Sequence, residues 1–166
     1  MDMKPVSASR SVLVHWMGVA DINSAGFVHG GTVMKLCDEV AGLASIRHSQ
    51  QRVVTGGVDR MTFVEPIEQG ELVTFTASVN AVWRTSMEVG VRVTAEKPRS
   101  GDGPRHTNTA YFTMVALGDD GRPASVPGLQ TETEEEQRRE REAQTRRENR
   151  LEERDAIGHG GPASAG

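Results

Sequence analysis

Between Asn23 and Glu39 the chain reads N-S-A-G-F-V-H-G-G-T-V-M-K-L-C-D-E. A glycine-rich turn opens directly onto an apolar helical stretch that carries an acidic pair. The first N–H groups of a helix have no intrahelical partner and lie at its positive end, so they can hold an anion or a polarised carbonyl oxygen. An acid further along the same helix is a candidate base or nucleophile. Gly30 and Gly31 as oxyanion donors with Asp38 as the acid amount to acyl-transfer chemistry without a serine nucleophile. The bland alternative is that the two glycines only permit a sharp turn.

Spacing constrains how these groups can meet. Asp38 follows Gly30 by eight residues, about 12 Å along a helix rising ~1.5 Å per residue. One chain cannot easily present both to a single carbonyl, whereas two helices side by side can. Glu39 is a weaker alternative acid, pointing about 100° away from Asp38 around the helix. His29 can either bond a reacting group or cap the helix. Cys37 adjoins the acid but reads as a small core residue. His15, His48, His106 and His159 show no metal-ligand spacing, and no metal is expected.

The elements that must position these residues follow from periodicity. Residues 1–10 read as a flexible N-terminus and Ser11 to Gly18 as a strand. Gly30 to about His48 is apolar on more than one face, so it predicts a helix wrapped by the rest of the domain. Val53 to Val64, Glu71 to Trp83, Met87 to Glu96 and His106 to Leu117 read as strands, with Arg84-Thr85-Ser86 closing a hairpin. One strand, one long helix and then four strands indicate an α+β fold. Residues 130–166 form a charged helical or disordered tail. Its Glu134–Arg138, Glu135–Arg139 and Glu142–Arg146 pairs have helical spacing. Without an apolar stripe, a solvated, frayed helix or disorder is expected over a docked helix, and disorder from 158 onward.

Composition narrows the function classes. Hydrophobic residues make up 36% of 166. Residues 130–155 hold ten of the 23 acidic residues and seven of the 19 lysines and arginines, leaving 13 against 12 elsewhere. A near-neutral body argues against nucleic-acid binding, which needs a concentrated basic surface. Cys37 is the single cysteine, which rules out an intramolecular disulfide or a cysteine zinc cluster. No stretch has the length of a membrane span or the form of a signal peptide, so a cytoplasmic protein without a membrane partner is expected.

Four segments together resemble the hotdog-fold acyl-CoA thioesterases, in their acyl-CoA hydrolase branch. They are N-x-x-G-x-V-H-G-G-x-x-M-K-x-x-D-E (Asn23 to Glu39), V-T-x-x-V-D-x-x-x-F-x-x-P-I (Val54 to Ile67), T-S-M-E-V (Thr85 to Val89) and F-T-x-V-A-L (Phe112 to Leu117). The resemblance covers about residues 11–129, and the tail after Leu129 has no evident counterpart. It implies an antiparallel sheet of five to six strands around one long central helix. It also implies a homo-oligomer of paired hotdogs, often a trimer of dimers, with active sites between subunits. The substrate would be acyl-CoA, with no separate cofactor, since CoA is part of the substrate.

Asn23 matches the family's loop asparagine, whose amide would position water or bind the carbonyl; such a residue also suits an ordinary turn. Whether Asp38 attacks directly or activates water stays open. Arg84, Thr85 and Ser86 offer a guanidinium and two hydroxyls for CoA phosphate or pantetheine, or form only a polar hairpin. Arg60 and Arg47 are weaker candidates, and Asp59 reads as structural. Competing readings are an aromatic, phenylacetyl-type thioesterase, a non-catalytic acyl-CoA sensor and a hotdog dehydratase or hydratase. The last needs a His/acid arrangement that is not found.

Overall fold

The computed structural model describes residues 2–158. Expectations for 159–166, including His159, lie outside them. In chain order the elements are β1 (Met3–Pro5), β2 (Ser11–Trp16), α1 (Gly30–Ser49), β3 (Arg52–Val58), β4 (Leu72–Val82), β5 (Ser86–Glu96), β6 (Arg105–Leu117), β7 (Gly128–Gln130) and α2 (Glu134–Ala156). Five strands form an antiparallel sheet in the order β2-β4-β5-β6-β3. This is the expected α+β hotdog arrangement, a curled sheet with a long helix against one face.

Strand alternation makes that face. Val89, Val91 and Val93 of β5 and Ala110, Phe112 and Met114 of β6 point toward α1 and are buried. α1 answers with Val33, Leu36, Cys37, Val40, Ala41 and Ala44. The remaining apolar side of the helix, Met34, Leu43 and Ile46, stays exposed in the single protomer. Gln50 ends α1 in a left-handed conformation, its N–H bonded to Ile46 O, and the chain turns at once into β3.

Three regions differ from expectation. Residues 3–9 belong to the fold rather than hanging loose. β1 pairs in parallel with β7, and the following short 3-10 turn buries Val6 and Ser9. The Ser9 hydroxyl accepts from Val79 N–H and donates to Val6 O. Polar residues made this segment look like a terminus, because its hydrogen bonds run to distant backbone. Second, β3 stops at Val58 instead of continuing to Val64. A register shift between Thr55 and Gly57 marks a bulge; pairing with β6 resumes through Val58, and beyond Asp59 the chain runs irregularly to β4. Third, α2 is a docked helix. It lies on the outer face of the sheet, held by arginines in place of an apolar stripe. Ala143 is its one buried residue. Arg146 pairs with the fully buried Glu88 at 2.6 Å, and Arg150 pairs with Asp59 at 2.9 Å. Arg146 also stacks on Tyr111, and Arg147 on Trp83.

Candidate functional site

The candidate residues fall into two groups at different places on the protomer. The first lies at the start of α1. Gly30 and Gly31 are its first two residues, exposed, and their N–H groups have no hydrogen-bond acceptor among the described residues. His29 is the N-cap position, but its side chain makes no capping bond. The ring of Phe63 stands against Gly30, where an added Cβ would lie 3.4 Å from its Cζ. Asn23 sits in the preceding loop. Its Oδ1 accepts from Ala25 N–H at 3.0 Å and Phe27 N–H at 3.1 Å, which closes the loop and leaves the amide NH2 for other work. Arg60 is exposed on the same irregular segment as Phe63.

The second group lies at the middle of α1. Asp38 is half-buried, and the Thr55 hydroxyl of β3 donates to its Oδ1. The β3 bulge begins directly after Thr55; such a bulge re-aims neighbouring side chains. An open cavity of about 440 Å³ adjoins the pair, lined by Asp38, Glu39, Gly42, Leu43, Ile46, Val53, Thr55 and Met114. None of Asn23, His29, Gly30 or Gly31 lines it. Cys37 is fully buried, and burial first, then the charge of Asp38, pushes its thiol up to about 12. It is a core residue with no nucleophilic role at neutral pH.

Sheet register places the hairpin candidates with this second group. Thr55 pairs with Met114, and Met114 with Met87; one residue along, Val54, Val115 and Ser86 form the next row. Arg84-Thr85-Ser86 therefore turns two strand spacings from Thr55, about 10 Å. Arg84 is exposed. Asp59 N–H bonds Tyr111 O, four residues back along β6 from the Ser86 row, about 13 Å away. The structure does not bring Arg60 to the hairpin. Arg47 turns elsewhere, donating to Arg10 O at 2.5 Å.

Sequence reasoning missed Thr55. The V-T pair at Val54-Thr55 was visible as part of a motif, yet a threonine in a strand carries no catalytic signal until a carboxylate is seen opposite it. The electrostatics of the remaining polar groups are structural. Burial works to raise the pKa of Glu71, but the Arg105 guanidinium and the Glu68 N–H hold it below the usual carboxylate range. Asp21 is held low by Gly18 N–H and His15. Among the described residues, no group of three or more His, Cys, Asp or Glu is placed to hold a metal ion, and no helix is long and apolar enough to cross a membrane.

The curled five-stranded sheet with one long helix is an architecture shared with known proteins. Residues 25–101 match the Thioesterase superfamily. Protein VdlD of Helicobacter pylori is 42% identical over 128 residues, 77% of this chain and 72% of that protein. The chain belongs to the acyl-CoA thioester hydrolase branch of the hotdog thioesterases. The cytosolic acyl coenzyme A thioester hydrolase of Rattus norvegicus is 39% identical over 142 residues, 85% of this chain. The chain spans only 37% of that rat protein's length. A solved apo-hexameric acyl-CoA thioesterase superposes with a TM-score of 0.88 at 33% identity, covering 92% of this chain and 97% of the other. Residues 1–129 alone could not reach that coverage, so part of the C-terminal segment has a structural counterpart after all.

Proposed function

We propose that this chain hydrolyses the thioester of fatty acyl-CoA to free acid and CoA at a site shared between two subunits. The observation that carries this reading is the Thr55–Asp38 pair beside an open groove, with unused Gly30 and Gly31 N–H donors about 12 Å away on the same helix. A partner helix laid alongside the exposed Met34, Leu43 and Ile46 would bring the glycine turn of one subunit to the Asp38 of the other. Three Staphylococcus aureus acyl-CoA hydrolase structures support the choice of residues. Each carries one alanine variant, of an asparagine, an aspartate or a threonine. Those three positions are separated by 15 and 17 residues, as Asn23, Asp38 and Thr55 are here.

In this reading the thioester oxygen sits against the Gly30 and Gly31 N–H groups of one subunit. Asp38 of the other either takes a proton from the attacking water or attacks the carbonyl itself, giving an anhydride that water then opens. Thr55 donates to Oδ1 and so fixes the carboxylate, leaving Oδ2 to act. The bond to sulfur breaks as the tetrahedral intermediate collapses, and CoA leaves as a thiolate that takes up the proton Asp38 accepted from water, or one from solvent. The Asn23 amide orients water or carbonyl from the loop. Arg84, Thr85 and Ser86 receive the pantetheine or phosphates of CoA, and His29 and Arg60 flank the glycine turn. No cofactor enters this scheme. Hexameric relatives make a trimer of such dimers the expected assembly.

The test is release of free CoA from acyl-CoAs of graded chain length and from phenylacetyl-CoA, by wild type and by Asp38→Ala. Turnover on straight-chain substrates that collapses in a folded, oligomeric Asp38→Ala supports the proposal. Preference for phenylacetyl-CoA moves the chain to the aromatic branch. Binding of acyl-CoA without turnover makes it a sensor.

A further inference from the structure

We propose that Arg150 of α2 is a positioning residue that holds the segment 59–67 in place against the start of α1, and so sets how tightly acyl-CoA binds. The inference rests on the hydrolase reading for its kinetic consequence. Arg150 Nη1 donates to both carboxylate oxygens of Asp59, at 3.0 and 2.9 Å, and lies 3.8 Å from the buried Glu88. The Asp59 side chain is only 17% exposed, so the pair is shielded and its geometry is set by both partners.

Asp59 is the last residue tied to β6 before the chain leaves the sheet. Its N–H bonds Tyr111 O, and the next backbone bond to β6 is Val64 N–H to Thr107 O. The four residues between these anchors include Arg60 and Phe63, and Phe63 stands against Gly30. The segment is thus fixed at its ends, and α2 supplies the side-chain restraint at the first. Releasing Asp59 frees the residues that flank the glycine turn. Asp38 and Thr55 are untouched, because they stand on α1 and β3.

Three variants separate positioning from simple stability. Arg150→Met removes the restraint. Arg150→Lys keeps a charge that can still reach Asp59. Arg147→Met loosens α2 at Trp83, 4.5 Å away, without touching the segment. Arg150→Met is expected to raise KM for acyl-CoA by about two- to thirtyfold at unchanged kcat. Arg150→Lys should recover most of that loss. Arg147→Met should lower thermal stability with KM as in wild type. Hydrogen exchange of the full chain gives a readout that does not need activity: amides of 59–67 should exchange faster in Arg150→Met, with α1 and β3 unchanged. Unchanged KM and unchanged exchange in Arg150→Met would overturn the proposal, as would an equal KM rise in Arg147→Met. If wild type turns over no acyl-CoA, the hydrolase reading fails, and the exchange pattern alone still decides whether Arg150 positions the segment.

Discussion

α1 and α2 lie on opposite faces of one sheet and are held there by opposite means. α1 buries an unbroken set of small and branched apolar residues and keeps its acid at the rim. α2 buries one alanine and reaches the sheet with arginines that meet Glu88, Asp59, Tyr111 and Trp83. Apolar burial is non-directional, so α1 only has to be roughly in place. A guanidinium on a carboxylate fixes register and angle at the same time. The difference separates the helix on which we place the chemistry from one that braces the surface opposite it.

The largest break on the α1 side is Asp38→Asn. The amide keeps size and can still bond Thr55, but it cannot take a proton or attack. A fall in kcat of about 10²–10⁴-fold is expected with little change in melting temperature. A variant with near wild-type kcat would move the chemistry away from α1.

The matching break on the α2 side is Arg146→Met. Glu88 is fully buried, with Asn80 at 3.1 Å and the more distant Arg150 at 3.8 Å as its other partners. Removing the Arg146 guanidinium takes both of its close bonds from a buried carboxylate and leaves only the longer contact to Arg150; loss of one partner of a buried pair costs about 3–5 kcal/mol. Denaturant unfolding of Arg146→Met should show this. Adding Glu88→Gln should restore much of it, since no buried charge then remains. A loss no greater than for an exposed pair would mean that α2 is not held by charge.

The contrast also explains what the sequence revealed. The α1 region was legible because period and chemistry coincide there: glycine turn, apolar faces and Asp38 lie in one stretch of 17 residues. The strands were legible by alternation, and β3 was overextended because Met61, Phe63 and Val64 continue an apolar pattern after the backbone has left β6. The docking of α2 was not legible. Arg146 and Arg150 look like any solvated arginines until Glu88 and Asp59, 58 and 91 residues away, are found beneath them. Thr55 was hidden for the same reason, its partner being 17 residues off on another element. Long-range polar pairs leave no period in a sequence, whereas apolar faces do.

A smaller effect tests how dry the end of α1 is. His48 is fully buried, its Nε2 donating to Pro127 O at 2.9 Å. Burial, with help from the charge of Lys4, lowers its pKa below the ordinary 6.5, and the Pro127 bond only partly opposes this. The folded state therefore prefers neutral imidazole, while the unfolded chain takes a proton near 6.5. Stability should be highest above that pH and fall as pH drops through 6.5 toward the folded pKa, below which the loss is complete. Melting temperature across this window should slope upward with pH in wild type and flatten in His48→Gln. An unchanged slope would mean that the end of α1 is wetter than its packing indicates.

The smallest effect belongs to the exposed ion pairs of α2. Arg138 and Glu142 form an i,i+4 pair at 3.0 Å with side chains 56% and 45% exposed. Water and salt already screen such a pair, and holding two long side chains together offsets what attraction remains. Glu142→Ala should therefore cost about 0.3–0.5 kcal/mol at low salt and almost nothing at high salt. Arg146→Met changes one residue only four positions further along the same helix and should cost several times more, with little response to salt. What separates the two pairs is burial of the partner carboxylate: the Glu142 side chain is 45% exposed and Glu88 is fully buried. If the two variants proved equally costly, the position of Glu88 under the helix would not be what holds α2, and the helix would have to be treated as stable by its own side-chain pairs.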